Sequence, residues 1–158
     1  MKLYIQEHIF TFGDQFSVLD EQGNEKYFVE GEIFTWGKKL HVYDRHRREV
    51  AFIKQELFTF MPCYHVYVGD RDIAQVRKEL SFFCPRYYVD GLNWDVEGDF
   101  FAHEYRVTKN GRDIVSIDKE WMTWGDSYEL TIAPDADEIV ALAVVLTIDC
   151  MVESQNNN

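Results

Sequence analysis

Branched aliphatic residues recur along this chain at Ile5, Val29, Ile53, Val76, Val96 and Ile117. Each is followed four residues later by a second apolar residue, at Ile9, Ile33, Leu57, Leu80, Phe100 and Trp121, and these markers are spaced by 24, 24, 23, 20 and 21 residues. Directly before the markers stand His8, Glu32, Glu56, Glu79, Asp99 and Glu120. A short phrase repeats there: IFTFG from Ile9, IFTWG from Ile33 and WMTWG from Trp121, with looser copies ELFTFMP, ELSFFCP and VEGDFF. A unit of about 22 residues is the length of one β-hairpin with its turns. Turn-formers punctuate the units at residues 20–24 (DEQGN), 44–48 (DRHRR), 69–70, 90–91 and 110–111, as hairpin connections require. Residues 39–43 (KLHVY) and 105–107 (YRV) alternate polar and apolar, the period of a half-buried strand. Six units predict about twelve antiparallel strands. The repeated phrase is read as the barrel wall, its markers facing the core and the neighbouring acids facing out.

The pattern stops after Pro134, where the chain reads DADEIVALAVVLTIDCMVE. Asp135 is placed to cap a helix and Glu138, three residues on, to complete a capping box. Apolar residues cover every face of this segment, including Ile139, Leu142, Val145 and Leu146, which marks a helix surrounded by protein. Twelve strands about 4.8 Å apart, tilted near 40°, close into a barrel of radius about 12 Å. That lumen admits a helix about 10 Å across, and roughly 16 helical residues extend about 24 Å. The expected fold is mainly β with one helix: a closed antiparallel barrel of about twelve strands, six hairpin repeats around a central hydrophobic C-terminal helix. Residues 1–153 form one domain, the helix covers about 136–152, and 154–158 form a polar tail.

Charge narrows the partners. The formal net charge is −12, which opposes polyanions, because phosphate binding is driven by Lys and Arg displacing counterions. Nucleic acid is excluded as a general ligand. The opening MKLYIQEHIF lacks a continuous apolar region of the kind a secretory signal needs. The C-terminal apolar run, broken by Asp149, falls short of the roughly 20 residues that span a bilayer. Cys63, Cys84 and Cys150 form no CxxC pair and read as reduced packing thiols of a cytoplasmic protein. A closed barrel leaves no strand edge to pair, so a monomer is expected.

Hairpin units followed by a hydrophobic helix ending in Thr147-Ile148-Asp149-Cys150-Met151 resemble the LURP-one-related (LOR) proteins, within the Tubby C-terminal-like superfamily that includes phospholipid scramblases. The resemblance spans the chain and is strongest from Asp113 to Glu153. It implies a twelve-stranded barrel around a central helix. For function it implies two precedents, phosphoinositide binding by Tubby domains and calcium-dependent lipid movement by scramblases. The net charge of −12 departs from the basic Tubby surface.

Candidate sites follow from residue chemistry. Arg45, His46, Arg47 and Arg48 form the one local basic cluster, at a hairpin tip where phosphate or a lipid headgroup could reach it. Asp126, Asp135, Asp137 and Glu138 offer hard oxygen ligands for calcium near the strand-to-helix junction, although carboxylates there also suit helix capping. The five histidines show no compact ligand spacing, and no GxSxG, P-loop or dinucleotide fingerprint occurs. Asp149, inside an apolar helix, requires a hydrogen-bonding partner and reads as a tether fixing the helix to the wall. A lumen filled by its own helix leaves only the outside for recognition. The expected function is a non-enzymatic cytosolic interaction module without cofactor, binding a protein or phospholipid partner at rim loops through aromatics such as Trp36, Phe60, Trp94 and Trp124. The alternative is a scramblase-like or Tubby-like phospholipid- and membrane-associated protein, calcium-dependent in its scramblase-like form.

Overall fold

The structure, a computed structural model, describes residues 1–6, 15–32, 36–83, 85–100, 102–119 and 127–156. Twelve strands follow in chain order: β1 (Lys2–Gln6), β2 (Gln15–Leu19), β3 (Glu25–Gly31), β4 (Lys39–Asp44), β5 (Glu49–Gln55), β6 (Cys63–Val68), β7 (Arg71–Glu79), β8 (Arg86–Asp90), β9 (Trp94–Asp99), β10 (Glu104–Lys109), β11 (Arg112–Asp118) and β12 (Ser127–Ile132). Each pairs antiparallel with its chain neighbours. β1 also pairs with β12, Ile5 opposite Tyr128, so the sheet closes into an up-and-down barrel.

The helix α1 (Glu138–Asn156) runs through this barrel. From Ala141 to Val152 its residues are at most 4% exposed. Its side chains reach Tyr27 on β3, Lys78 on β7, Tyr87 on β8, and Tyr105 and Tyr128 on β10 and β12. Strands spread around the ring can share one helix only if it occupies the lumen. Its polar groups are met inside the apolar interior: Thr147 and Ser154 donate to the carbonyls of Ala143 and Cys150, at 2.7 and 2.8 Å.

The six branched aliphatics are the inward face of the repeat. Ile5, Val29, Ile53, Val76, Val96 and Ile117 are all between 0 and 6% exposed. Ladder irregularities fall at Val18/Leu19, Val42/Tyr43, Val66/Tyr67 and Val107/Thr108, in four hairpins just ahead of their tight turns. Such bulges sharpen the twist and help a sheet curl closed. Gly98 is required by contact: at φ +133° on β9, a Cβ would meet the Glu104 carbonyl oxygen and Tyr105 Cα of β10.

Two expectations are corrected. The repeated phrase is not wall: Leu57 and Leu80 are exposed, and only Phe100 of the described markers is buried. Ile9, Ile33 and Trp121 lie outside the described residues. Four residues past the buried aliphatic, the chain has left the ladder for the connection, where alternation no longer dictates facing. The helix cap also differs. Asp137 Oδ1 accepts from the Val140 N–H at 3.1 Å, while Asp135 pairs with Arg112 at 2.8 Å. The helix starts at Glu138 and continues to Asn156, because Gln155 finds partners in Lys78 and Tyr87.

Candidate functional site

In an up-and-down barrel all connections after odd-numbered strands share one end, and those after even-numbered strands share the other. The second end is closed by tight polar turns. The first carries the repeated phrase, in loops 32–38, 56–62, 80–85 and 100–103. There Phe58, Phe60, Phe82 and Phe83 are 92–98% exposed, with Trp36, Leu57 and Leu80 also exposed. Burying one such side chain contributes about 1.5–3 kcal/mol, so a group of them left in water is unusual for a monomer surface. Phe58 also adopts φ +62°, a left-handed conformation costly for an aromatic residue. Of the expected rim aromatics, Trp36 and Phe60 are at this end. Trp94 is buried at the start of β9, next to the turn at the opposite end, and is corrected to a core residue. Trp124 lies outside the described residues. Phe58, Phe82 and Phe83 escaped sequence reasoning, although the phrase itself contained them.

Beneath this end, Asp149 is buried with Tyr105 and Tyr128. Both tyrosine hydroxyls donate to its carboxylate, Tyr105 at 2.8 Å. His103, from the β9–β10 connection, stacks on Tyr128 at 4.8 Å and 13° and places Nδ1 3.8 Å from Asp149. Burial, then the Asp149 charge, hold the Tyr105 hydroxyl well above its usual range. The arrangement anchors α1 to two strands through one carboxylate.

At the turn end the basic cluster is internally matched. Arg45 lies 4.0 Å from Asp20, Arg47 3.5 Å from Glu25 with its guanidinium over Phe28, and Arg48 3.1 Å from Asp44. Asp44 Oδ1 accepts from the N–H groups of His46 and Arg48, as Asp20 Oδ1 does from Gln22 and Asn24. The cluster is therefore the second copy of a capped turn, with Arg47 at φ +62° where the first copy has Gly23 at +81°. The proposed calcium ligands are engaged separately: Asp135 with Arg112, Asp137 as helix cap, and Glu138 with Tyr27 and Lys26 at 2.6 and 2.8 Å. Asp126 lies outside the described residues.

The outer wall carries a constellation that sequence reasoning missed. His41 bridges Glu32 and Glu49, both at 2.7 Å. Twenty-four residues on, His65 bridges Glu56 at 3.0 Å and Asp72 at 2.7 Å. Burial lowers each imidazole, but the flanking carboxylates outweigh it and leave both raised. Glu32 and Glu56 are correspondingly lowered, chiefly by their histidine hydrogen bonds. The 24-residue spacing of the histidines was the available signal.

A family model described as LURP-one-related matches residues 1–149. The uncharacterized protein YxjI of Bacillus subtilis (strain 168) is 30% identical over 149 residues, covering 94% of this chain and 92% of that one. The X-ray structure of an Arabidopsis thaliana protein superposes with a TM-score of 0.64 at 16% identity, over 94% of this chain and 89% of the other. At that identity the likeness shows the fold alone.

Proposed function

We propose, from the premise that this chain belongs to the LURP-one-related family, that it is a non-enzymatic cytosolic interaction module whose binding face is the apolar loop end of the barrel. The observation that carries this reading is the set of phenylalanines at positions 58, 60, 82 and 83, 92–98% exposed at one end. With the lumen filled by α1, a ligand has to be met on the outside. The net charge of −12 favours a protein partner with its own apolar patch over an anionic bilayer. Cys63 and Cys150 are free thiols, in keeping with a reducing compartment.

The test compares capture from native cytosol by three tagged proteins: wild type, a variant with Phe58, Phe60, Phe82 and Phe83 replaced by Ser, and a variant with Arg45, Arg47 and Arg48 replaced by Ser. A partner retained by wild type and the turn-end variant, and lost by the loop-end variant, is expected. Equal retention by all three would overturn the reading.

The exposed aromatics also favour a second reading, insertion of this end into a phospholipid interface, where Trp and Phe are at home. Sedimentation with phosphatidylcholine vesicles, with and without calcium, separates it. Vesicle binding lost in the loop-end variant would move the assignment from protein to lipid, and binding only with calcium would select the scramblase-like form.

A further inference from the structure

The outer wall repeats one small arrangement three times. An acid ends or directly follows one strand, and seven residues later a side chain begins the next: Glu32 with Lys39, Glu56 with Cys63, Glu79 with Arg86. Backbone hydrogen bonds or ladder register bring each pair together: Glu32 N–H to Lys39 O at 3.0 Å, Glu56 N–H to Cys63 O at 2.9 Å, and Glu79 opposite Arg86. In the first copy Lys39 Nζ lies 3.7 Å from Glu32. The first and third copies thus set the chain's own cation beside the acid. The middle copy sets a thiol there, with His65 two residues along the same strand face, where the first copy has His41.

We propose that Glu56, Cys63 and His65 bind a divalent transition-metal ion of zinc type. One oxygen, sulfur and nitrogen of these residues all lie within 4.8 Å of one another. Bonds of about 2.0–2.3 Å in a tetrahedral site need ligand atoms roughly 3.5 Å apart. Closing the set is therefore a matter of side-chain rotation: Glu56 and His65, now 3.0 Å apart, open slightly and Cys63 turns in. His65 presents Nε2 to Glu56 and Nδ1 to Asp72 at 2.7 Å. A carboxylate accepting the second ring N–H is the usual outer support of a metal-bound histidine. The thiol selects against magnesium and calcium, and mixed sulfur, nitrogen and oxygen ligation suits zinc. A groove of about 420 Å³ lined by Glu56, Cys63, Arg77 and Lys78 borders the site, which leaves a fourth position for water or an anionic ligand. Binding releases the thiol proton to solvent, and with it the Nε2 proton of a protonated His65, as the metal takes their places.

The test is cobalt titration of the full chain under reducing conditions, followed by zinc competition. Wild type is expected to bind one equivalent with a thiolate-to-cobalt absorption that zinc abolishes. Cys63→Ser removes the band, and Asp72→Asn weakens affinity about 10–100-fold, both with unchanged circular dichroism. Lys39→Cys, which completes the same ligand set around His41, is expected to raise the stoichiometry to two. No band in wild type up to millimolar cobalt, or a band that survives Cys63→Ser, overturns the proposal.

Discussion

The two ends of the barrel close the same hairpins by opposite means. At the turn end, residues 20–24 and 44–48 are spanned by an aspartate that caps its own turn, and the charges around them are paired locally. At the loop end, residues 56–62 and 80–85 are longer than a hairpin requires, since two to five residues suffice. They hold apolar side chains in water instead of under the barrel. The turn end is accounted for by folding alone. The loop end contains more chain and more exposed apolar surface than folding needs, and that excess is what the proposed binding face rests on.

The sharpest way to break this contrast is at the helix anchors, because α1 is fixed differently at each end. Asp149→Ala beneath the loop end leaves two buried tyrosine hydroxyls without their acceptor. An unsatisfied buried group costs about 1–3 kcal/mol, so a loss of about 3 kcal/mol is expected in urea unfolding. Adding Tyr105→Phe and Tyr128→Phe to Asp149→Leu should recover most of it, since neither hydroxyl is then left without an acceptor. A triple variant no better than Asp149→Ala would show that the hydroxyls are not the cause. At the turn end, Asp137→Ala removes only a cap and should cost about 1 kcal/mol. Equal losses at the two ends would erase the asymmetry.

How legible these features were in the sequence follows the same division. Inside the strands, period-two alternation is enforced by the pleat, so Ile5 to Ile117 could be read as inward and the turns at 20–24 and 44–48 as hairpin tips. The helix was legible because its apolar residues leave no polar face. In the loops the pleat constrains nothing, and Leu57 and Leu80 were misjudged because a repeated apolar residue looks like core. Trp94 erred in the other direction, as an aromatic beside a turn that in fact begins a strand. The cap was displaced by two residues because Asp135 and Asp137 are chemically alike, and only Arg112, distant in sequence, draws Asp135 away. The His41 and His65 networks join residues from three successive strands or their ends, so they depend on register that no local pattern displays.

The wall between the ends gives a pH reference. The raised His41 and His65 contribute stability that is fully present below the ordinary histidine value near 6.5. That contribution is lost as pH rises through their higher folded values. The lowered Glu32 and Glu56 act inversely, stabilising above the ordinary glutamate value and failing as pH falls through their lower folded ones. Stability should be greatest between these limits and decline on the alkaline side by about 0.5 kcal/mol per histidine, the scale of exposed ion pairs. Thermal unfolding across this range checks it. His41→Gln with His65→Gln should flatten the alkaline decline, and an unchanged decline would assign it elsewhere.

The smallest stability effect is expected where the functional effect is largest. Phe58 is 97% exposed at φ +62°, so its ring contributes little burial while its backbone is strained. Asparagine adopts the left-handed region readily, and Phe58→Asn should therefore raise stability by about 0.5 kcal/mol. If the loop end is a binding face, the same substitution should weaken partner capture. The two readouts would then move in opposite directions, because strain retained at a site is compatible with selection for binding and not for folding. A lowered unfolding midpoint would instead mean that Phe58 supports the barrel, and the contrast between the two ends would lose its clearest residue.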